Sequence, residues 1–99
     1  KELFLNKKNK INDYALPSAV IAAARPVLAD LPSFDNDTLF ASLSPLAAEL
    51  SIKTGALMWC LRIAVSGLAA TPGGATEIME AIGKEETLAR LDAAARRLA

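Results

Sequence analysis

The chain has 99 residues, of which 53% are hydrophobic and 22% charged, with 11 basic and 11 acidic side chains. A chain of this length and composition forms one folded domain, because it can support a single core but not two. It contains no His and one Cys, which excludes a disulfide framework, the usual Cys/His zinc clusters and His-assisted nucleophilic catalysis. The net charge is zero, whereas a free-standing nucleic-acid-binding domain usually has an excess of basic side chains.

The predicted elements begin after an N-terminal segment, residues 1–13, which is rich in Lys and Asn and has no sustained hydrophobic periodicity. This segment is predicted to be a linker or an extension from a preceding domain. The chain starts at Lys1 and has no apolar signal-peptide core, and its longest near-apolar run is half the length that crosses a bilayer. We therefore expect a piece of a longer cytoplasmic chain that has no membrane partner.

The first half of the domain is predicted to contain several short helices, because Ala and Leu dominate the apolar residues. The first helix is expected to begin near Pro17 and to be kinked or split at Pro26. Acidic and amide side chains in residues 35–37 predict the cap of a second, short helix. The dipeptide Ser44-Pro45 then predicts the start of a separate third helix.

The second half contains the most apolar helix, which Thr54 is predicted to cap and which is apolar on every face, as is typical of the centre of a bundle. Gly67 is expected to close this helix in a left-handed conformation. Gly83 is expected to end a fifth helix, and the last helix runs to Leu98. The sequence therefore predicts, over residues 14–99, an all-α bundle of about five to six short helices without a sheet.

One charged residue interrupts the apolar helix. Burying the guanidinium of Arg62 is costly unless a carboxylate or a ligand binds its donors. A structural ion pair with Glu77 or Glu80 and a rigidly presented arm for a phosphate or base edge are both consistent with the sequence. On the same helix, Trp59 is predicted to pack in the core rather than to stack on a base, and Cys60 to be a small buried apolar side chain.

A turn of four residues, Thr71-Pro72-Gly73-Gly74, offers backbone N–H groups and a hydroxyl at the start of a helix. Such an arrangement fits a phosphate or a base edge, although a plain helix cap has the same pattern.

Charged residues elsewhere predict a solvated surface. Glu86 with Arg90 and Asp92 with Arg96 have the four-residue spacing of intrahelical pairs. Lys53, beside the predicted turn at Thr54 and Gly55, is expected to be freer. No carboxylate pair suggests acid/base catalysis, so no catalytic residue is predicted.

Four ordered segments of the second half resemble the C-terminal anticodon-binding domain of bacterial-type glutamyl-tRNA synthetases. The segments are Lys53-Thr54-Gly55-Ala56-Leu57-Met58, Leu61-Arg62-Ile63-Ala64-Val65-Ser66-Gly67, Thr71-Pro72-Gly73, and Ile82-Gly83-Lys84-Glu85 leading to Leu88-Ala89-Arg90-Leu91. The resemblance implies an α-helical bundle that receives the anticodon loop of tRNA.

By position, the resemblance implies that Arg62 and Thr71 contact anticodon bases, and Pro72, Gly73 and Lys53 are further candidate RNA-binding residues. It implies a monomer joined to upstream catalytic and helical domains of the same chain. The parent would be a class I glutamate–tRNA ligase that binds ATP and Mg in its catalytic domain. This piece itself would be non-catalytic and would bind no metal or cofactor.

The main alternative is a helical protein–protein interaction module without RNA affinity, in which an apolar face is buried against a partner. A helix-turn-helix DNA-binding domain is less well supported, because neither the central helix nor residues 74–82 offer a basic face.

Overall fold

The computed structural model describes residues 14–67 and 73–98, which form four helices. They are α1 (Ala15–Ala29), α2 (Asn36–Glu49), α3 (Thr54–Ser66) and α4 (Ala75–Leu98). These two ranges contain no strand, so the all-α prediction is confirmed. The number of helices, four with a non-helical residue inside the last, differs slightly from the predicted five to six. The prediction of a linker over residues 1–13 lies outside the described residues.

Two prolines lie inside continuous helices, Pro26 in α1, where a kink or a split was predicted, and Pro45 in α2, where a new helix was predicted to begin. A proline removes the hydrogen bond to the carbonyl four residues before it, which here belongs to Ala22 and Ala41. Both alanines are exposed, so water can satisfy their carbonyls. The separate helix predicted from Ser44 is therefore wrong, and of the two outcomes predicted at Pro26, a kink or a split, the continuous helix excludes the split.

The N-terminus of α2 is capped as predicted. The Asp35 carboxylate accepts a hydrogen bond of 2.8 Å from the backbone N–H of Thr38. This bond, together with those from the Ser33 and Thr38 hydroxyls, lowers the pKa of Asp35 below its ordinary value. The cap therefore stabilises the fold above the unfolded-state pKa of Asp, and this contribution is lost as the pH falls through the lower folded-state pKa.

Of the two ends predicted for α3, the C-terminal one is confirmed and the N-terminal cap is wrong. Lys53 occupies the N-cap position without a side-chain cap, and Thr54 is the first helical residue rather than the cap. At the other end, Gly67 has φ 71° and ψ 13° and closes the helix in the predicted left-handed conformation.

The end of α2 is a left-handed turn at a residue other than glycine, since Ser51 has φ 58°. The backbone N–H of Ile52 donates to the carbonyl of Ala47 at 2.8 Å, and that of Ser51 donates to the carbonyl of Ala48 at 3.1 Å. This pair of bonds is the Schellman motif, in which glycine is usual because a Cβ atom is strained at positive φ.

We expect Ser51→Gly to raise the free energy of unfolding by about 0.5 to 1 kcal/mol, because the relieved strain exceeds the added flexibility of the unfolded chain. Urea denaturation followed by circular dichroism measures the change. Gly67→Ala is the converse control, since a Cβ there meets nothing within 4 Å and only backbone strain is added. Unchanged or reduced stability of Ser51→Gly would contradict this account.

The long helix α4 consists of two helical segments, residues 75–82 and 84–98, because Gly83 has the non-helical angles φ 86° and ψ 167°. The predicted helix end at Gly83 is thus confirmed. Just after the bend, the Lys84 ammonium donates to the carbonyl of Leu31 at 2.9 Å, which fastens α4 to the turn that follows α1. α4 packs against all three other helices.

The core is formed by apolar side chains from all four helices, and α3 contributes much of it. Leu57, Cys60 and Leu61 are fully buried, and burial raises the pKa of the Cys60 thiol to about 12. Cys60 is therefore the buried apolar side chain that was predicted. Trp59 and Arg62 are only partly buried, so α3 is not enclosed on every face.

Candidate nucleic-acid interface

The Arg62 guanidinium lies over the indole of Trp59. Its central carbon is 5.0 Å from the centroid of the ring, within the distance at which a cation interacts with an aromatic face. The two residues are three apart on α3, where side chains of one helical face meet. The Nε atom of Arg62 is itself buried. The helix and the indole together therefore hold the guanidinium at a partly exposed edge of α3.

The predicted ion pair between Arg62 and a carboxylate of α4 does not form with either candidate. Glu80 accepts a hydrogen bond of 3.0 Å from the backbone N–H of Asn36, and Glu77 accepts one of 3.2 Å from the backbone N–H of Gly74. Within residues 14–67 and 73–98, the ion pairs involve other carboxylates. Both glutamates serve helix N-termini, where a negative charge is favoured by the helix dipole.

Trp59 has two roles in the structure. It packs against the core as predicted, and it also contacts Arg62, which the sequence analysis missed. The signal was present in the sequence, because an aromatic residue three positions before an arginine on a helix places the two side chains together.

The turn predicted at residues 71–74 lies only partly within the described residues. Thr71 and Pro72, two of the predicted RNA-binding residues, lie outside them. A Cβ atom on Gly73 would be 3.2 Å from a carboxylate oxygen of Glu77, so glycine leaves room for that side chain to fold back. Because Glu77 accepts from the N–H of Gly74, this N–H is not open to a phosphate, and the helix-cap interpretation holds at Gly74.

Lys53 is exposed and precedes the first turn of α3. Nine residues separate it from Arg62, which corresponds to about 13 Å along a helix axis. The structure therefore does not bring Lys53 and Arg62 into one cluster.

The C-terminal turns of α3, which include Arg62, are held by hydrogen bonds to two carbonyls. Arg90 of α4 donates through Nη1 to the carbonyl of Val65 at 2.6 Å, and Ser66 donates through Oγ to the carbonyl of Arg62 at 2.6 Å. Arg90 also forms the predicted ion pair with Glu86, at 3.0 Å. A cation at the C-terminus of a helix is favoured by the helix dipole, so Arg90 stabilises the end of α3 as well as its own helix.

The second predicted intrahelical pair is replaced by a contact between helices. Asp92 binds Arg25 of α1 through two hydrogen bonds, of 2.6 and 3.1 Å, and Arg96 acts on it only through its charge. The hydrogen bond from Arg25 lowers the pKa of Asp92. The reason is geometric, because the planar fork of one arginine fits both carboxylate oxygens at once.

We expect Arg90→Met to lower the free energy of unfolding by about 1 to 2 kcal/mol, because the partly buried carbonyl of Val65 loses a charged donor while the aliphatic stem is kept. Thermal and urea denaturation would measure the loss. Glu86→Gln is the matched control, since it removes only an exposed ion pair and should change stability by less than about 0.5 kcal/mol. Equal effects of the two substitutions would contradict a role for the Val65 contact.

Residues 14–67 and 73–98 contain no group of three or more His, Cys, Asp or Glu side chains that could hold a metal ion. In the same ranges, no helix has both the length and the hydropathy needed to cross a membrane. A distinctive feature of the described surface is the Arg62 guanidinium over the Trp59 indole, because a guanidinium suits contact with a base or a phosphate.

The helical fold and this arginine are accompanied by a sequence match that covers almost the whole chain. The chain belongs to the family of anticodon binding domains, which matches residues 1–95.

Curated relatives of this chain include glutamate–tRNA ligases. The chain is 43% identical to the glutamate–tRNA ligase of Clostridium tetani over 91 residues, 37% identical to that of Clostridium botulinum over 90 residues, and 34% identical to that of Clostridium kluyveri over 93 residues. Each match covers 91 to 92% of this chain but 18% of the relative. The chain thus spans about a fifth of the length of these enzymes.

Proposed function

We propose that this chain recognises the anticodon loop of tRNA as one domain of a glutamate–tRNA ligase. The rest of that enzyme would supply the catalytic site with its ATP and Mg, and this domain would contribute no catalytic group. The proposal implies a cytoplasmic protein that acts as a monomer. Its support comes from membership of the anticodon binding domain family and from the names of the relatives.

The observation that carries the proposal is the Arg62 guanidinium, held over Trp59 at the edge of α3. Single-stranded RNA loops are read through the edges and faces of unstacked bases, and a planar, fixed guanidinium suits both kinds of contact. Charge alone cannot supply specificity here, since the net charge of the chain is zero. A few well-placed contacts must therefore provide it.

The other predicted RNA-binding residues fit this function in different ways. Thr71, Pro72 and Gly73 are consecutive in the sequence, and we assign the Thr71 hydroxyl to a base edge. Phosphate binding by the neighbouring Gly74 is not part of the proposal, because the Glu77 carboxylate accepts from its N–H. Lys53 is assigned to a phosphate, since it is exposed and distant from Arg62 along α3.

The test is a titration of the 99-residue chain into a fluorescently labelled anticodon stem–loop of glutamate tRNA, with a stem–loop of scrambled loop sequence as reference. We expect Arg62→Ala to lose about 1 to 3 kcal/mol of discrimination between the two RNAs. Its free energy of unfolding should fall by less than about 1 kcal/mol, the usual strength of an exposed cation–π contact.

The matched control is Arg97→Ala, which removes an exposed arginine and so makes the same change in net charge. It should weaken binding to both RNAs alike and reduce the salt dependence, without changing their ratio. If neither RNA binds and light scattering shows a concentration-dependent dimer, the interaction-module alternative is favoured. If Arg62→Ala retains full discrimination, Arg62 is not the residue that reads the loop.

A further inference from the structure

The contact between Arg62 and Trp59 joins a flexible side chain to an anchored one, which a purely structural role for either residue does not require. The indole is already anchored, because Trp59 packs against the core, yet one part of it remains partly exposed. The central carbon of the Arg62 guanidinium lies 5.0 Å from the centroid of the ring. The flexible arginine thus rests against a large side chain that is packed on the core.

We propose that Trp59 is a positioning residue for Arg62, and that the two side chains form one RNA-reading unit. This inference rests on the proposed function and adds to it the residue that sets the orientation of the guanidinium. An arginine side chain loses considerable rotamer freedom when a ligand immobilises it. The indole restricts this freedom before RNA arrives, so less of it is lost on binding.

The chemistry of the indole explains why an aliphatic residue would be a poor substitute. An aromatic face attracts a cation through its quadrupole and aligns the guanidinium plane by stacking, whereas an aliphatic side chain only excludes water from it. Glu77 and Glu80, which would have been alternative anchors, accept hydrogen bonds at the starts of α4 and α2. A contact with the face of a guanidinium uses none of its N–H donors, because all of them lie in its plane.

Trp59 is the only tryptophan of the chain, so it reports directly on its own contact. The test compares the 99-residue chain with Trp59→Leu, which keeps an apolar side chain for the core, and Trp59→Phe, which keeps an aromatic face. Each is titrated with the native and the loop-scrambled stem–loops. The same substitutions are repeated in the Arg62→Ala background.

We expect Trp59→Leu to reduce the preference for the native loop roughly fivefold, and Trp59→Phe to restore most of it. In the Arg62→Ala background, Trp59→Leu should cause no further loss, because the two residues act as a unit. The NMR resonance of the Arg62 Nε–H should be shifted upfield by the ring current of the indole in the parent chain and should return to its usual position in Trp59→Leu. Native RNA should change the fluorescence of Trp59 more than scrambled RNA does.

Three results would overturn the inference: an unchanged preference in Trp59→Leu, equal losses from Trp59→Leu with and without Arg62, or an Arg62 Nε–H resonance without a ring-current shift. If Arg62→Ala loses discrimination while Trp59→Leu does not, this inference fails and the proposed function stands. If Arg62→Ala itself retains discrimination, the proposed function fails first. If Trp59→Leu does not fold, Trp59→Met gives the same comparison with a more adaptable side chain, and the NMR measurement needs only the parent chain.

Discussion

Leu61→Ala is expected to lower the free energy of unfolding by about 2 to 5 kcal/mol. Leu61 lies on α3 and is 0% exposed, within a core to which all four helices contribute. Truncation loses the transfer free energy of its methyl groups and leaves a cavity that the rigid surroundings fill only in part. A domain of this size is stable by about 5 to 15 kcal/mol, so the loss would be a large part of the total.

Urea denaturation measures this effect, and the adjacent residue provides the comparison. Arg62→Ala, which is expected to cost less than about 1 kcal/mol, should impair RNA discrimination, whereas Leu61→Ala should leave discrimination unchanged under conditions in which it is folded. The two neighbouring positions therefore separate stability from recognition. A loss below about 1 kcal/mol for Leu61→Ala would mean that the core around α3 is less tightly packed than the structure indicates.

The helical class of this fold could be predicted because local signals and tertiary structure agree. The Asp35 cap and the glycine stops at Gly67 and Gly83 are determined by nearby backbone geometry, which short sequence patterns report well. The helix count could not be predicted in the same way. Pro26 and Pro45 would each end a helix in isolation. In the folded chain, the carbonyls that lose a hydrogen bond belong to exposed residues, and packing of the opposite, apolar side keeps the helices continuous.

The candidate site was predictable in its key residue but not in its surroundings. An arginine within an apolar helix stands out in the sequence, and Arg62 is indeed held at the edge of α3. Which group holds it depends on tertiary contacts, because Glu77 and Glu80 were both plausible and both bind elsewhere. The same reason explains Asp92, which binds Arg25 from a distant part of the sequence rather than a neighbour on its own helix.

Gly83→Ala is expected to lower the free energy of unfolding by about 2 to 3 kcal/mol through backbone strain alone. Gly83 has φ 86° and ψ 167°, a region of backbone conformation that is essentially restricted to glycine. A Cβ atom there would meet nothing within 4 Å, so steric overlap with neighbouring side chains contributes nothing. The expected loss is larger than that for a left-handed helix cap, because this conformation is disfavoured even for Asn and Asp.

The bend at Gly83 positions two contacts between α4 and other parts of the fold, one on each side of the bend. Before it, Glu80 reaches the N-terminus of α2 at Asn36, and after it Lys84 reaches the carbonyl of Leu31. If Gly83→Ala relieved its strain by straightening α4 into one continuous helix, at least one of these contacts would have to break. Gly83→Ala therefore lowers stability in either case, through backbone strain if the bend is kept or through lost contacts if α4 straightens.

Urea denaturation of Gly83→Ala beside Gly74→Ala distinguishes this conformational effect from the general effect of replacing glycine. Gly74 does not have a positive φ, and a Cβ there would lie at an ordinary contact distance of 3.7 Å from Glu77. Gly74→Ala should therefore change stability by less than about 0.5 kcal/mol, or raise it slightly by restricting the unfolded chain. Equal stability of the two variants would show that the bend at Gly83 is not required for the packing of α4 against the other three helices.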